Sequence, residues 1–313
     1  ANGSTIRTEV IGGVTTFFAM CYIMLVNPSQ MSGDYSATSA LWLAIFIATG
    51  IGAIIGTLLM AFWAKMPFAQ APGMGLNSFF FVSFMVAGFG AAAAFTTEAY
   101  QAGMSIILVS GILFLIVSAT GLRKKIFESM PQSLKKAIPA GIGLFIAYIA
   151  FQNAGIIQAN QYVQVQFVDL TAGWYDIATP LSALLGFFII GALYKTKVKG
   201  AAVIIGIVAT AGIYYLFNIG NAEAYTAFTS GLSNPADAFK AFGELSIGAA
   251  FKGFKFWQAG AILSAIMLVI TFSLVDIFDT LGTLQGTASE AGILDKNDNP
   301  KSLNQCLMSD SIA

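Results

Sequence analysis

The sequence predicts an all-α polytopic membrane protein, and three observations carry that expectation. Of its 313 residues, 57% are hydrophobic and 10% are charged, whereas a soluble domain carries about 25% charged residues. Apolar segments near the roughly 20 residues needed to cross a hydrocarbon core recur along the whole chain. The loops between them alternate between basic and base-free.

Composition also excludes several classes. Net charge is zero, so nothing suggests a nucleic-acid partner. Cys21 and Cys306 are far apart and form no metal or disulfide pattern. There is no histidine, so a proton relay has to use carboxylates. No cofactor or metal motif is present, and an embedded enzyme would need one or a nucleophile. No cleavable signal is visible. The first residue is not Met, and Ser309-Asp310-Ser311-Ile312-Ala313 ends without a polar tail, so both ends read as trimmed.

In chain order, Arg7 and Glu9 lead into a first span at about residues 10–27, which Asn27-Pro28 is expected to end. A second span at about 41–63 carries Gly52-x-x-x-Gly56, expected to be a close-packing face. A third runs to about residue 88 and a fourth covers about 101–120. After the basic loop Arg123-Lys124-Lys125, Met130–Ile138 could form a short interfacial amphipathic helix, with Pro139 opening a fifth span at about 139–158. Residues 159–177 read as a loop. A sixth span covers about 178–194 and a seventh about 200–218. The long connection 219–256 mixes Glu223, Asp237, Lys240, Glu244, Lys252 and Lys255. An eighth span starts near Trp257, read as an interfacial anchor, and continues past Leu281. Residues 295–313 turn from polar to apolar and begin a ninth.

Charge gives the orientation. Arg7, Lys65, five bases at 123–136, Lys195, Lys197, Lys199, Lys296 and Lys301 fall on one side of this topology. Lys240, Lys252 and Lys255 lie in the one long loop, where the rule is weakest. The positive-inside rule then places the N-terminus in the cytoplasm.

The third span is the unusual one. In Pro67-Phe68-Ala69-Gln70-Ala71-Pro72-Gly73-Met74-Gly75-Leu76-Asn77-Ser78-Phe79-Phe80, Pro72 lacks an N–H and holds Ala71 extended, and Gly73 and Gly75 weaken the helix beyond it. Non-helical backbone at membrane depth is tolerated only inside protein or beside a water-filled cavity. The segment therefore reads as a broken span: extended residues 68–73, then a half-helix from about Met74. Its first N–H groups, with Asn77 one turn in, would face a polar ligand. The other reading is a tight cytoplasmic turn before an ordinary helix.

The eighth span holds Asp276 and Asp279, three apart and on one helix face. An aspartate at the centre of a membrane helix costs about 2.5–3.5 kcal/mol on insertion scales and usually marks function. The competing reading puts both carboxylates in cytoplasmic headgroups at the helix end. They are the only acidic residues expected inside spans. Phe79, Phe80 or Tyr22 could offer a stacking surface, although aromatic residues in such spans more often pack. Ser78, Gln152 and Asn153 read as helix–helix contacts.

Four segments together resemble a known family: Thr16–Ile23 with Val26-Asn27-Pro28, Gln70–Asn77, Ala140–Ala147 and Val275–Thr283. They are similar to the azaguanine-type (AzgA-like) purine permeases of the nucleobase–cation symporter-2, or xanthine/uracil permease, superfamily. The resemblance covers nearly the whole chain, in order. It implies an inverted-repeat transporter fold of the uracil-permease type, with seven plus seven spans and a short extended strand in the broken third span. It further implies core domain residues 1–120 and 257–313, gate domain residues 121–220, and an extracellular or periplasmic connection at 221–256. The rest of the second repeat, with an acidic residue of span 10, would lie beyond Ala313. The implied activity is import of a purine nucleobase (hypoxanthine, guanine or adenine) by proton symport, in an elevator-like movement of core against gate. The sequence leaves open whether sodium replaces the proton, whether xanthine or uracil is the substrate, and whether the chain forms a homodimer. By matching position, Asn77 and Asp276 would contact the base, Gly75 would shape the half-helix, and Asp279 would act less directly; Met74 and Tyr22 are further candidates for contact with the base. An ion or anion transporter or a channel of related fold is the alternative; the acidic pair argues against an anionic cargo.

Overall fold

The computed structural model describes residues 5–34, 39–171, 173–196, 201–222, 224, 235–258, 260–295 and 299–313. Lys197, Lys199, Glu223 and Lys296, which entered the charge reading, lie outside them. The chain is mostly helical. Among the described residues, six helices are long and apolar enough to cross a membrane: Ile6–Ser32, Ala40–Ala64, Thr97–Ala119, Gln132–Asn153, Trp174–Tyr194 and Ile262–Glu290. Two shorter apolar helices, Met74–Val86 and Ala202–Phe217, fall at the third and seventh predicted spans. Three of these helices open on a hydroxyl cap. Thr5, Ser39 and Thr96 accept bonds from Thr8, Trp42 and Ala99 N–H groups at 3.1–3.3 Å, satisfying donors that a helix start leaves free. The second span ends where Lys65 turns left-handed at φ 57°.

The chain divides into two compact units: residues 1–22 with 145–232, and residues 23–144 with 233–313. In the first, Trp174–Tyr194 and Ala202–Phe217 pack tightly. A Cβ on Gly186 would run into Thr210, and one on Gly206 into Ile190; only glycine lets the backbones come so near. Trp174 Nε1 ties the far end by donating to Phe217 O at 2.7 Å. In the second unit, the core gathers Phe80, Phe84, Phe89, Tyr100, Ile106 and Phe272. Gly103 makes room for Phe80 and Phe84. The Phe272 ring lies 4.7 Å from Phe79 and 5.9 Å from Phe84. The Ser110 and Ser273 hydroxyls pair at 2.9 Å.

Several local expectations are corrected. Asn27-Pro28 does not end the first span, because the helix Ile23–Ser32 runs through it. Pro28 is fully buried, and packing inside the protein lets such a proline stay helical. Pro139 likewise opens nothing. It lies inside one helix, Gln132–Asn153, packed against Gly286, while Ile138 and Ile142 fill the space over Gly282. Met130–Ile138 is therefore no separate interfacial helix, and the fifth span ends at Asn153 rather than 158. Gly52 and Gly56 do not both pack closely. Gly52 has nothing within 4 Å, whereas Gly56 makes room for the Gln70 side chain and for Ala313 at the end of the helix Leu303–Ile312.

Residues 159–177 are not all loop. Ile157–Asn160 (β1) pairs antiparallel with Gln164–Phe167 (β2), Ile157 opposite Phe167 and Asn160 opposite Gln164. The connection before the eighth span contains Pro235–Ala241 and Ala249–Gly253, packed on the second and fourth spans. Gly253 lies so close to Gln101 O that a Cβ could not fit. Trp257 is anchored by protein, its Nε1 donating to Ser105 Oγ at 2.8 Å.

Candidate functional site

Residues 65–73 adopt neither helix nor strand, and the helix Met74–Phe80 begins after Gly73, whose φ −74° and ψ 116° are extended. Pro67 and Pro72 remove two donors from this segment. Part of what remains is satisfied by the second span, where Thr57 Oγ1 accepts from Gln70 N at 3.0 Å. Asn77 N closes the first helical turn onto Gly73 O at 3.1 Å. Met74 and Gly75 are the first two residues of the helix, both half-buried.

The acidic helix runs from Ile262 to Glu290. It starts beyond Trp257, which makes Asp276 its fifteenth residue of 29 (276 − 262 + 1) and Asp279 its eighteenth. Both are half-buried. The Asp279 carboxylate lies against the start of the third-span helix: a Cβ on Gly73 would stand 2.8 Å from its Oδ2. The tertiary structure thus joins the two segments that the sequence singled out separately. Asp276 makes no hydrogen bond or ion pair among the described residues.

Asn77 is 8% exposed and belongs to a buried polar chain. Its Nδ2 donates to Asn27 Oδ1, and Asn27 Nδ2 donates to Thr49 Oγ1 at 2.6 Å. Beside it, Gln30 Nε2 donates to Ser78 Oγ. Asn27 and Gln30 lie on the first-span helix; the sequence marked Asn27 only as a span end and part of a family segment, and neither as a site residue. Their signal is polar side chains on an otherwise apolar segment.

A buried ion pair was also missed. Arg123 is wholly buried, although the sequence assigns it to a cytoplasmic basic loop. Its Nη1 donates to Ser118 Oγ (2.9 Å), Ser311 Oγ (2.9 Å) and Leu307 O (3.1 Å). Nη2 lies 3.5 Å from Asp310 Oδ2, and the guanidinium carbon stacks 3.7 Å above Phe114. Thr280, one residue after Asp279, donates to Asp310 at 2.8 Å. Arg123 is also within electrostatic reach of Asp276. Asp276 and Asp279 are consequently not the only half-buried carboxylates on these helices, for Asp310 joins them. Lys135 is buried as well, bonded to Asn299 Oδ1 at 2.9 Å. Two of the five bases at 123–136 are therefore held inside the protein instead of marking an aqueous face.

Tyr22 belongs to the first unit, 44% exposed, and takes no part in this polar chain. A cleft of about 510 Å³ in the second unit, lined by Ser83, Phe89, Gln258, Ser264 and Leu268 among others, contains none of the acidic residues. The chemistry therefore points to the Asn77–Asp279 region and not to this cleft. Among the described residues no group of three or more His, Cys, Asp or Glu could hold a metal ion.

A helical chain with this many long apolar helices defines a polytopic integral membrane protein. The family model described as Permease family, the xanthine/uracil permeases, matches residues 7–313, and the chain belongs to that family. It is 35% identical over 312 residues to the guanine/hypoxanthine permease PbuO of Bacillus subtilis, covering 99% of this chain and 65% of that protein. With PbuG of the same organism, also a guanine/hypoxanthine permease, it shares 34% identity over 99% of this chain and 65% of that protein. With the adenine permease AdeQ of Escherichia coli it shares 32% over 100% of this chain and 63% of that protein. The chain thus spans just under two thirds of the length of these relatives.

Proposed function

We propose that the full-length protein is a secondary transporter that imports a purine nucleobase (hypoxanthine, guanine or adenine) by proton symport. In this reading the third span is broken at Gly73. The amide of Asn77, the backbone of Met74 and Gly75, and the Asp276 carboxylate face the base, while Asp279 supports them and takes part in proton coupling. A neutral purine edge offers both N–H donors and ring acceptors, which this set of an amide, backbone N–H groups and carboxylates complements. The observation that carries the proposal is the approach of Asp279 to Gly73: a carboxylate from the middle of a 29-residue helix meets the start of the interrupted one. The names of the relatives support the cargo. Spans 1–4 and 8, with the start of span 9, form the mobile core and spans 5–7 the gate; spans 1–7 make one repeat of an inverted pair of seven, span 8 opens the second, and the N-terminus is cytoplasmic. Tyr22 is a further candidate for contact with the base.

The test is uptake of labelled hypoxanthine, guanine, adenine, xanthine and uracil by the full-length protein in liposomes, with a proton gradient, a sodium gradient or neither. Purine uptake driven by the proton gradient and competed by unlabelled purine is expected. Uptake driven by sodium alone would overturn the coupling, preference for uracil or xanthine the cargo, and transport of an anion but no base the whole reading.

A further inference from the structure

The hydrogen bonds that hold Asn77 have a direction fixed at their far end. The single hydroxyl proton of Thr49 goes to Ile45 O, 2.7 Å away. Towards Asn27 that hydroxyl can only accept, so the group it meets is the amide nitrogen, at 2.6 Å. With Nδ2 turned to Thr49, Asn27 presents Oδ1 on its other side, and Asn77 Nδ2 donates to it. Reversing the Asn77 amide would set oxygen against oxygen. The chain is buried, with Asn27 at 3%, Thr49 at 4% and Asn77 at 8% exposure, so water could not readily relieve that clash. Asn77 Oδ1 itself makes no hydrogen bond among the described residues.

We propose that Thr49 and Asn27 are positioning residues that lock the Asn77 amide one way round, so that it presents Oδ1 as an acceptor and selects a planar ligand with an N–H at that edge. The inference rests on Asn77 contacting the base, as proposed above. It adds that the acceptor character of the contact is decided on the second span, two side chains away from the ligand.

Equilibrium binding of hypoxanthine and its 1-methyl, 7-methyl and 9-methyl derivatives to the purified full-length protein tests it. The unmodified protein should reject at least one methyl derivative. Thr49→Ser, which keeps the hydroxyl, should keep both affinity and preference. Thr49→Val should weaken hypoxanthine about tenfold, the worth of one such hydrogen bond, and shrink the preference against the rejected derivative. Loss of affinity with the preference intact would reduce Thr49 to a packing role and overturn the proposal, as would an unmodified protein that accepts every derivative. Should Thr49→Val fail to reach the membrane, Asn27→Ala is judged by the same ratio. Asn77→Ala separates the two readings. If it abolishes binding while Thr49→Val changes nothing, the relay is wrong and the site stands. If it leaves binding unchanged, the site reading falls and the relay with it.

Discussion

Gly73→Ala probes the contact on which the site depends. The backbone there, at φ −74° and ψ 116°, suits any L-residue, so the substitution meets no conformational resistance. Its effect must come from the new methyl group. The added Cβ would lie 2.8 Å from Asp279 Oδ2, where ordinary van der Waals contact begins near 3.4 Å. Either the carboxylate withdraws by the difference or the segment before Met74 moves. Overpacking of this kind costs about 1–3 kcal/mol. The denaturation midpoint of the purified full-length protein should fall accordingly, and proton-driven purine uptake should fall with it. A double-mutant cycle makes the cause explicit. In an Asp279→Ala background the obstructing oxygen is gone, so Gly73→Ala should become nearly neutral, leaving a coupling of at least about 1 kcal/mol. An equal penalty in both backgrounds would refute the contact between the acidic helix and the interrupted span.

Other outcomes rest on the same geometry. Asp276→Asn removes a charge-assisted acceptor worth about 1.5–3 kcal/mol and should weaken purine binding about tenfold to hundredfold; Asp279→Asn should leave binding within a few fold but reduce proton-driven uptake, and the reverse pattern would exchange their roles. Arg123→Gln leaves Asp310 without its buried partner and should destabilise the protein by about 1.5–3 kcal/mol, while Arg123→Gln with Asp310→Asn should recover much of that loss; a double variant no more stable than the single one would show that the pair does not act as a unit. In a Cys21→Ser background, the exposed position Gln161→Cys should react with an impermeant thiol reagent from outside intact cells and Gln132→Cys should not; labelling at 132 would invert the orientation. Gly253→Ala should loosen the helix Ala249–Gly253 from the fourth span, because its Cβ collides with the rigid backbone at Gln101; a midpoint equal to that of the unmodified protein would count against that packing.

The sequence by itself determined the class of the protein and where most of its spans lie, because burial in lipid demands long apolar runs whatever they pack against. It also marked Gly73 to Asn77 and the Asp276–Asp279 pair as unusual, since prolines, glycines and carboxylates are costly in such runs. The β1–β2 hairpin was latent in the alternating Gln164-Val165-Gln166-Phe167. Tertiary structure decided what these residues meet. Pro28 and Pro139 carry identical local signals whether a helix stops or is held together by neighbours, and only the packing around them selects the second outcome. Gly56 accommodates Gln70 and Ala313, a choice that needs the path of residues 65–73 and the docking of the last helix. Arg123 and Asp310 stand 187 positions apart (310 − 123), and nothing in the local pattern of either announces a buried partner. Asn27, Thr49 and Asn77 likewise come from three separate spans. Their hydrogen bonds are directional and short-ranged, so they exist only once packing has fixed all three backbones, whereas hydropathy is a property of each segment alone.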